Sequence, residues 1–416
     1  MKYYDLDVNL SKEDRDIRKA VHEFAEGVMR PVAKQLDQMS AKDAFSAGSP
    51  FFDFLKEAYK LGYHKALLPE EVGGLGVTPS QAYIIMEELA WASFGLAISL
   101  HTSLHPVDAL TFGNEEHVKE FTIPYCDCKD GSIYGTWAIT EPDHGTDTLL
   151  AGCPIFRDPN IGAQCKATKV GDDYVITGQK SAWASGAPLA NYVDLYCSIE
   201  EKKGPAGGGI FIFDLDRPGV SKGSPIEKMG ARDFPQGELF FDEVVVPKKY
   251  LLVGPDKYED ALMMHMSGVT LIIVAAWCVG LARAAFEEAL DYARKRVQGN
   301  KNLIEHSNVQ QKLTDMVSKI EAARQLTKYI FTYNLMVPPE KRAFEYAMAA
   351  KTYASKVALE VTDESLTLHG SIGLTKEYHI EKLYRDARHL IFCDGSNDSL
   401  DCAAGYHIAK LYPRIP

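Results

Sequence analysis

The stretch Gly131-Ser132-Ile133-Tyr134-Gly135-Thr136-Trp137-Ala138-Ile139-Thr140-Glu141-Pro142 marks where the character of this chain changes. Upstream, from Leu10 to about residue 120, apolar residues recur at helical spacing, as in Ile17, Val21, Phe24 and Val28, with Ser11 placed to cap the first helix. Downstream, as far as Pro247, the β-prone runs are short: 133–140, 174–177, 192–197, 209–213 and 239–246, separated by Gly, Pro and Asp clusters. No helical stretch intervenes, so the expectation is an antiparallel sheet or barrel, not the strand and helix alternation of a nucleotide-binding fold. After Tyr250 the helical pattern returns and persists to residue 411, with a break at Pro338-Pro339, at the density of an antiparallel four-helix bundle. The expected fold is therefore α+β in three parts packed as one body: an N-terminal helical domain over 1–130, a middle β domain over 131–250 and a C-terminal bundle over 251–416. Pro31 is expected to bend or interrupt the first helix. The glycines of Pro69-Glu70-Glu71-Val72-Gly73-Gly74-Leu75-Gly76 permit positive φ in a reversal before a helix starting near Pro79.

With 416 residues, 46% hydrophobic and 25% charged, the chain has the composition of a soluble globular protein with a sizeable core. A net charge of −12 and the lack of any Lys/Arg-rich run argue against a nucleic-acid partner. The eight cysteines are scattered, and Cys126-Asp127-Cys128 has neither zinc nor redox spacing. They read as reduced intracellular thiols, and the expected location is cytoplasmic. The start, Met1 to Asp7, lacks the apolar core of a signal peptide. The longest nonpolar stretch, 269–282, is too short to span a bilayer and reads as a buried helix.

Asp394 lies between the apolar run Leu390-Ile391-Phe392-Cys393 and the turn-like Gly395-Ser396-Asn397. A carboxylate pressed against apolar neighbours loses hydration, which raises its pKa toward the range of a proton-abstracting base. Pattern alone also fits a plain turn residue, since Asp-Gly is a common turn dipeptide and Ser396 or Asp398 offers a cap to the helix that follows. Trp183 taken alone reads as a core aromatic, and Met263, Met264 and Met266 as core filling. His101 and His105 stand four apart, but no third ligand accompanies them; they read as helix-end histidines, and no metal site is expected.

Four motifs in order carry a resemblance: Pro69 to Gly76; Ala138-Ile139-Thr140-Glu141-Pro142-Asp143-His144-Gly145-Thr146-Asp147; Gly178-Gln179-Lys180-Ser181-Ala182-Trp183-Ala184-Ser185, with one residue inserted before the Trp; and Gly280-Leu281-Ala282-Arg283 leading through Arg296 to Ile304-Glu305-His306. Over nearly its whole length the chain resembles the FAD-dependent acyl-CoA dehydrogenase superfamily. The resemblance implies a flavin held between the β domain and the C-terminal bundle, with Trp137, Ile139 and Thr140 beside the ring, Trp183 flanking it and Ser185 near N5. It further implies that Thr146 serves the pyrophosphate or the substrate. Arg296 would reach the diphosphate of a neighbouring subunit's FAD, His369 and Gly370 would approach the cofactor closely, and Ser396 and Asp398 would face its adenosine portion. Thr146, Thr270 and Gly395 fall on the substrate side. Asp394 aligns with the family's usual catalytic Glu. Implied partners are an acyl-CoA substrate, an external electron acceptor such as an electron-transferring flavoprotein, and further copies of the chain in a homotetramer.

The sequence departs from that pattern in several places. Asp394 is one methylene shorter than the Glu it replaces, and 266–276 has no acidic residue to take over as base. The acidic and arginine residues that many relatives carry around Ser267-Gly268-Val269-Thr270-Leu271 are missing, and 152–162 is longer than the usual connection, a candidate for reshaping the substrate entrance. The expected activity is dehydrogenation of an acyl-CoA, with cyclic or otherwise unusual acyl groups as an attractive subclass. An Asp base also resembles the nitroalkane oxidase branch, although that branch has an arginine seven residues further on where this chain has Asp401. The third alternative is an FAD-binding protein of the same fold without catalysis.

Overall fold

A computed structural model describes residue 6 and residues 9–411; the leading stretch read for a signal peptide lies, Leu6 apart, outside them. Ser11 caps helix Lys12–Phe24 reciprocally with Asp14, satisfying two otherwise orphaned N–H groups. A π turn over Ala25–Met29 carries this helix into Arg30–Asp37. Pro31 thus does not interrupt the helix as expected; it sits in the first turn after the π segment, where a missing N–H costs little.

The reversal before helix Pro79–Ala92 uses its glycines unequally. Gly73 and Gly76 take positive φ, whereas Gly74 is needed for close approach, because a Cβ there would lie 1.9 Å from the Leu68 carbonyl oxygen. Pro79–Ala92 then packs deep against helix Leu271–Lys295. Gly280 lets the two meet, since a Cβ on it would lie 2.2 Å from the Glu87 carbonyl oxygen. Arg283 donates to Glu87 at 2.9 Å and to Glu88 at 2.7 Å, and Arg324 donates to Glu87 at 3.1 Å. Burial pushes the Glu88 carboxyl up, but Arg283 and His22 outweigh it and bring it down to about 2.

The middle sheet has strands β1 (Gly135–Ala138), β2 (Lys166–Val170), β3 (Asp173–Ser185), β4 (Tyr192–Ser198), β5 (Gly208–Asp214), β6 (Val220–Lys222), β7 (Gln236–Val246) and β8 (Leu251–Val253). Their order is β6-β7-β3-β1-β4-β5-β8, with β2 bridging β3 and β4. Most pairings are antiparallel as expected, but β4 runs parallel to β1 and to the start of β2, so the sheet is mixed. Between Lys180↔Leu239 and Ala184↔Gly237, β3 spends four residues against two on β7. This bulge, two residues longer on β3 than on β7, falls at the Trp183 motif.

In the C-terminal part Leu271–Lys295, Ser307–Met336 and Phe344–His369 pack together, and the fourth place is shared by Ile380–Leu390 and Asn397–Leu411, with Asp394 in the turn between them. The break at Pro338-Pro339 falls between the second and third long helices, as expected. The apolar stretch read as too short for a bilayer belongs to a continuous helical segment, Tyr258–Lys295, that is long enough by length and hydropathy; 94% of its most apolar window is buried inside the fold, as in a core helix.

Candidate active site

Asp394 occupies the left-handed region, φ +52, where a short polar side chain is tolerated and most L-residues are strained. Gly395 follows at φ +118. The turn leaves one backbone donor spare: the N–H groups of Cys393 and Gly395 bond to His389 and Phe392 carbonyls, while that of Asp394 has no partner among the described residues. Burial pushes the Asp394 carboxyl above its ordinary value, with Lys351, the Cys393 thiol and His265 pulling the other way.

Asp394 and Gly395 face a cleft of about 480 Å³ between the sheet and the bundle. The opposite wall comes from the second and third motifs. Glu141 and Lys180, both fully buried, are paired at 2.7 Å, and the same ammonium donates to the Ile139 carbonyl at 3.0 Å. Glu141 also accepts from the N–H groups of Gln164 and Cys165. One buried ion pair thus fixes the end of β1 against β3 and presents Ile139 and Thr140 to the cleft, beside Trp183 and Ser185. Trp183 is 53% exposed, unusual for so large an apolar ring, and it meets the cleft edge-on to His389 at 6.4 Å. Burial, then Lys228 and Lys351, hold His389 down to about 3, so its ring is neutral near pH 7. Thr146 joins the walls: its hydroxyl accepts the Ser396 N–H at 2.9 Å.

These donors fit a flavin. A half-exposed indole face, the Thr140 and Ser185 hydroxyls and the Trp137 indole N–H, buried without a partner, converge on one cavity.

Other expected residues lie elsewhere. Arg296, His369 and Gly370 line a separate open groove of about 1100 Å³ on the bundle. His369 is held there by a 2.8 Å contact to the Ser365 carbonyl and by stacking on Tyr292 at 4.3 Å. Gly370, at φ +66 and ψ −153, adopts a backbone that only glycine takes readily, and a Cβ on it would meet nothing within 4 Å. Thr270 is buried and its hydroxyl donates back to the Met266 carbonyl at 3.0 Å, so it does not reach the Asp394 cleft. Asp398 is exposed on the first turn of Asn397–Leu411 and does not line that cleft.

The long stretch 152–162 is docked outside the cleft: the Gly152 N–H donates to Glu259 at 2.7 Å and Arg157 pairs with Glu259 at 2.7 Å. Met266 is core, while Met263 and Met264 border a surface depression. His101 and His105 are not on one helix; His101 bonds the Ala97 carbonyl at 2.9 Å, and His105 opens helix His105–Phe112. Among the described residues no three His, Cys, Asp or Glu side chains gather to hold a metal. Sequence reasoning passed over Lys351 and His389. The signal for Lys351 was a lone charge among Ala349, Ala350 and Ala354; for His389 there was none.

Comparison with known proteins gives three successive matches, to the acyl-CoA dehydrogenase N-terminal domain over residues 11–129, the middle domain over 136–244 and the C-terminal domain over 262–401. The chain belongs to the acyl-CoA dehydrogenase family, flavin-dependent oxidoreductases acting on CH–CH bonds. It is 31% identical to a 3-(aryl)acrylate reductase of Clostridium sporogenes, covering 92% of this chain and 94% of that protein. It is 30% identical to the caffeyl-CoA reductase-Etf complex subunit CarC of Acetobacterium woodii, covering 93% and 96% respectively. An acyl-CoA dehydrogenase complexed with FAD from Bacillus anthracis superposes with a TM-score of 0.83 at 25% identity, over 97% of this chain and 68% of that one.

Proposed function

We propose that this protein forms or removes the α,β double bond of an acyl-CoA thioester, with FAD as cofactor and Asp394 as base. The observation that carries this reading is the position of Asp394, on a strained turn with a raised proton affinity, across one cleft from Thr140, Trp183 and Ser185. When bound, FAD supplies the acceptor for a hydride from the β-carbon. Asp394 takes the α-proton, and the electron pair left behind becomes the new C=C bond. The unpartnered Asp394 N–H is placed to polarise the thioester carbonyl as charge develops on it. The apolar rings of Trp183 and Phe392 line the cleft and disfavour water beside the reacting carbons. Thr146, through Ser396, ties the base-bearing turn to the cofactor wall.

Similarity to the aryl acrylate reductase supports a substrate whose new double bond is conjugated with a carbonyl, handled in either direction. Similarity to an Etf-complex subunit supports an electron-transferring flavoprotein as redox partner. Arg296, His369 and Gly370 line a cavity separate from the Asp394 cleft, which supports a second copy bringing its own FAD to that groove within a homotetramer; we place the protein in the cytoplasm. The nitroalkane reading gains nothing here, because Asp401 is turned to Lys356 at 2.6 Å.

The test is anaerobic titration of the purified flavoprotein with a panel of acyl-CoA thioesters, read as loss of visible flavin absorbance. Bleaching by a thioester is expected. Bleaching by nitroalkanes alone would overturn the reading, and none by either would leave only a cofactor-binding role.

A further inference from the structure

Lys351, in the N-terminal third of helix Phe344–His369, is fully buried, and a buried ammonium needs every N–H satisfied. Its three donors all go to one place. Nζ lies 3.2 Å from the Ile391 carbonyl, 2.7 Å from the Gly395 carbonyl and 2.9 Å from Asn397 Oδ1. Those acceptors bracket Asp394 at three residues before, one after and three after, and the Gly395 carbonyl belongs to the residue that directly follows the left-handed one. We propose that Lys351 is the positioning residue for Asp394: its ammonium clamps the 391–397 turn from the neighbouring helix and holds the carboxylate toward the cleft.

The clamp has its own support. Asn397 Nδ2 donates to Ser355 Oγ at 2.9 Å and the Ser355 hydroxyl donates to Asn397 Oδ1 at 3.2 Å, so the third acceptor is fixed by the same helix that carries the lysine. The turn holds itself with few bonds of its own, among them Gly395 N–H to Phe392 and Asn397 N–H to Ile391, both 3.2 Å. Without the ammonium, two buried carbonyls and an amide oxygen lose a charged donor, and the strain at φ +52 has less to oppose its relaxation.

The same cation acts on the carboxylate through space. The groups facing Asp394 are Lys351, His265 from helix Tyr258–His265 and the Cys393 thiol beside it, and Lys351 is the foremost of those that favour the ionised form. Lys351 itself faces Cys278, Cys393, Asp394 and Asp401. Removing it shifts Asp394 further toward its protonated form, so a rate that needs the carboxylate loses its acid limb at higher pH.

This inference rests on Asp394 being the base, and the experiment separates the two. In Lys351→Met holoprotein, amide hydrogen exchange of 392–397 should rise at least tenfold while that of β3 and β7 is unchanged. The acid limb of bleaching by whichever thioester works fastest on the native protein should move up by about one pH unit, a tenfold loss at a fixed acidic pH. Unchanged exchange and an unmoved limb overturn the clamp. Should Lys351→Met not fold, Lys351→Arg keeps the charge but places its planar fork poorly for three converging acceptors; exchange at 392–397 should still rise severalfold with the limb in place, and native exchange overturns the proposal. Full bleaching by Asp394→Asn would instead refute the base assignment, leaving the exchange result to decide the clamp alone.

Discussion

The two cavities of this chain are built on opposite plans. The Asp394 cleft is lined by the sheet, the bundle and Ile98 of the N-terminal helices, is fixed by the buried Glu141–Lys180 pair and carries the rings of Trp137, Trp183 and Phe392 in its walls. The Arg296 groove is broad and lies on the bundle alone, with an exposed guanidinium and a glycine-only backbone at its edge. The first desolvates a carboxylate and so changes its chemistry; the second leaves a cation in water, where it does little until an anion is brought to it. The lesson is that residues from distant parts of the chain enclose the first, whereas the second is lined by the bundle alone and open to solvent.

The sharpest way to break that comparison is Asp394→Asn. It should keep bound flavin and lose substrate bleaching by about 10²–10⁴-fold, the range of a lost general base, measured by anaerobic stopped flow. Retained activity would show that the enclosed cleft is not where proton transfer occurs.

Next in size is a change in the frame beneath both cavities. Arg283→Met leaves Glu88 without its main partner and Glu87 with Arg324 alone, and should cost about 3–5 kcal/mol in denaturant unfolding, lowering cofactor retention with it. The native pair also sets an acid window. Because the folded Glu88 sits near 2, below its ordinary 4.5, its contribution to stability is present above pH 4.5 and is lost as pH falls toward 2.

Arg296→Met should weaken FAD retention by roughly 10- to 100-fold, the worth of about 1.5–3 kcal/mol for a hydrogen bond to a charged group, seen by equilibrium dialysis. The variant's remaining holoenzyme should bleach at the native rate. A fall in that rate with retention intact would mean the groove belongs to the chemistry and not to the cofactor's far end.

The smallest effect separates the cavities by pH. Bleaching should decline as pH drops through a value above 3.8, since Asp394 must be ionised to accept a proton, while retention through Arg296 stays level because guanidinium does not titrate there. A limb at or below 3.8 would mean that the carboxylate is better hydrated than its place in the fold implies.

Much of this was legible from residue order. Ser11, the glycines of 73–76 and Pro338-Pro339 punctuate helices through local geometry, and the short β-prone runs 192–197 and 209–213 mark strands because their branched and aromatic side chains suit a pleated, buried surface. Asp394 stood out because apolar neighbours on one side and a glycine on the other already describe a desolvated carboxylate at a turn. Pro31 marked the place where the α-helical pattern gives way to a π turn, but not the form of the break, because the π turn's extra residue is invisible in periodicity. The Thr270 hydroxyl bonds backwards to its own helix, a partner that residue order alone does not reveal.

By itself, then, the sequence determined the helical, β and helical order, the cofactor-facing motifs and the identity of the base candidate, all properties carried by neighbours in the chain. Only the tertiary structure decided that β1 lies parallel to β4, that Arg296 and His369 line a cavity separate from the Asp394 cleft, and that Lys351, 43 positions before Asp394, closes the turn that carries it. Those facts depend on where separate elements meet, and the burial of an ammonium against three particular oxygens is a result of packing that no local pattern records.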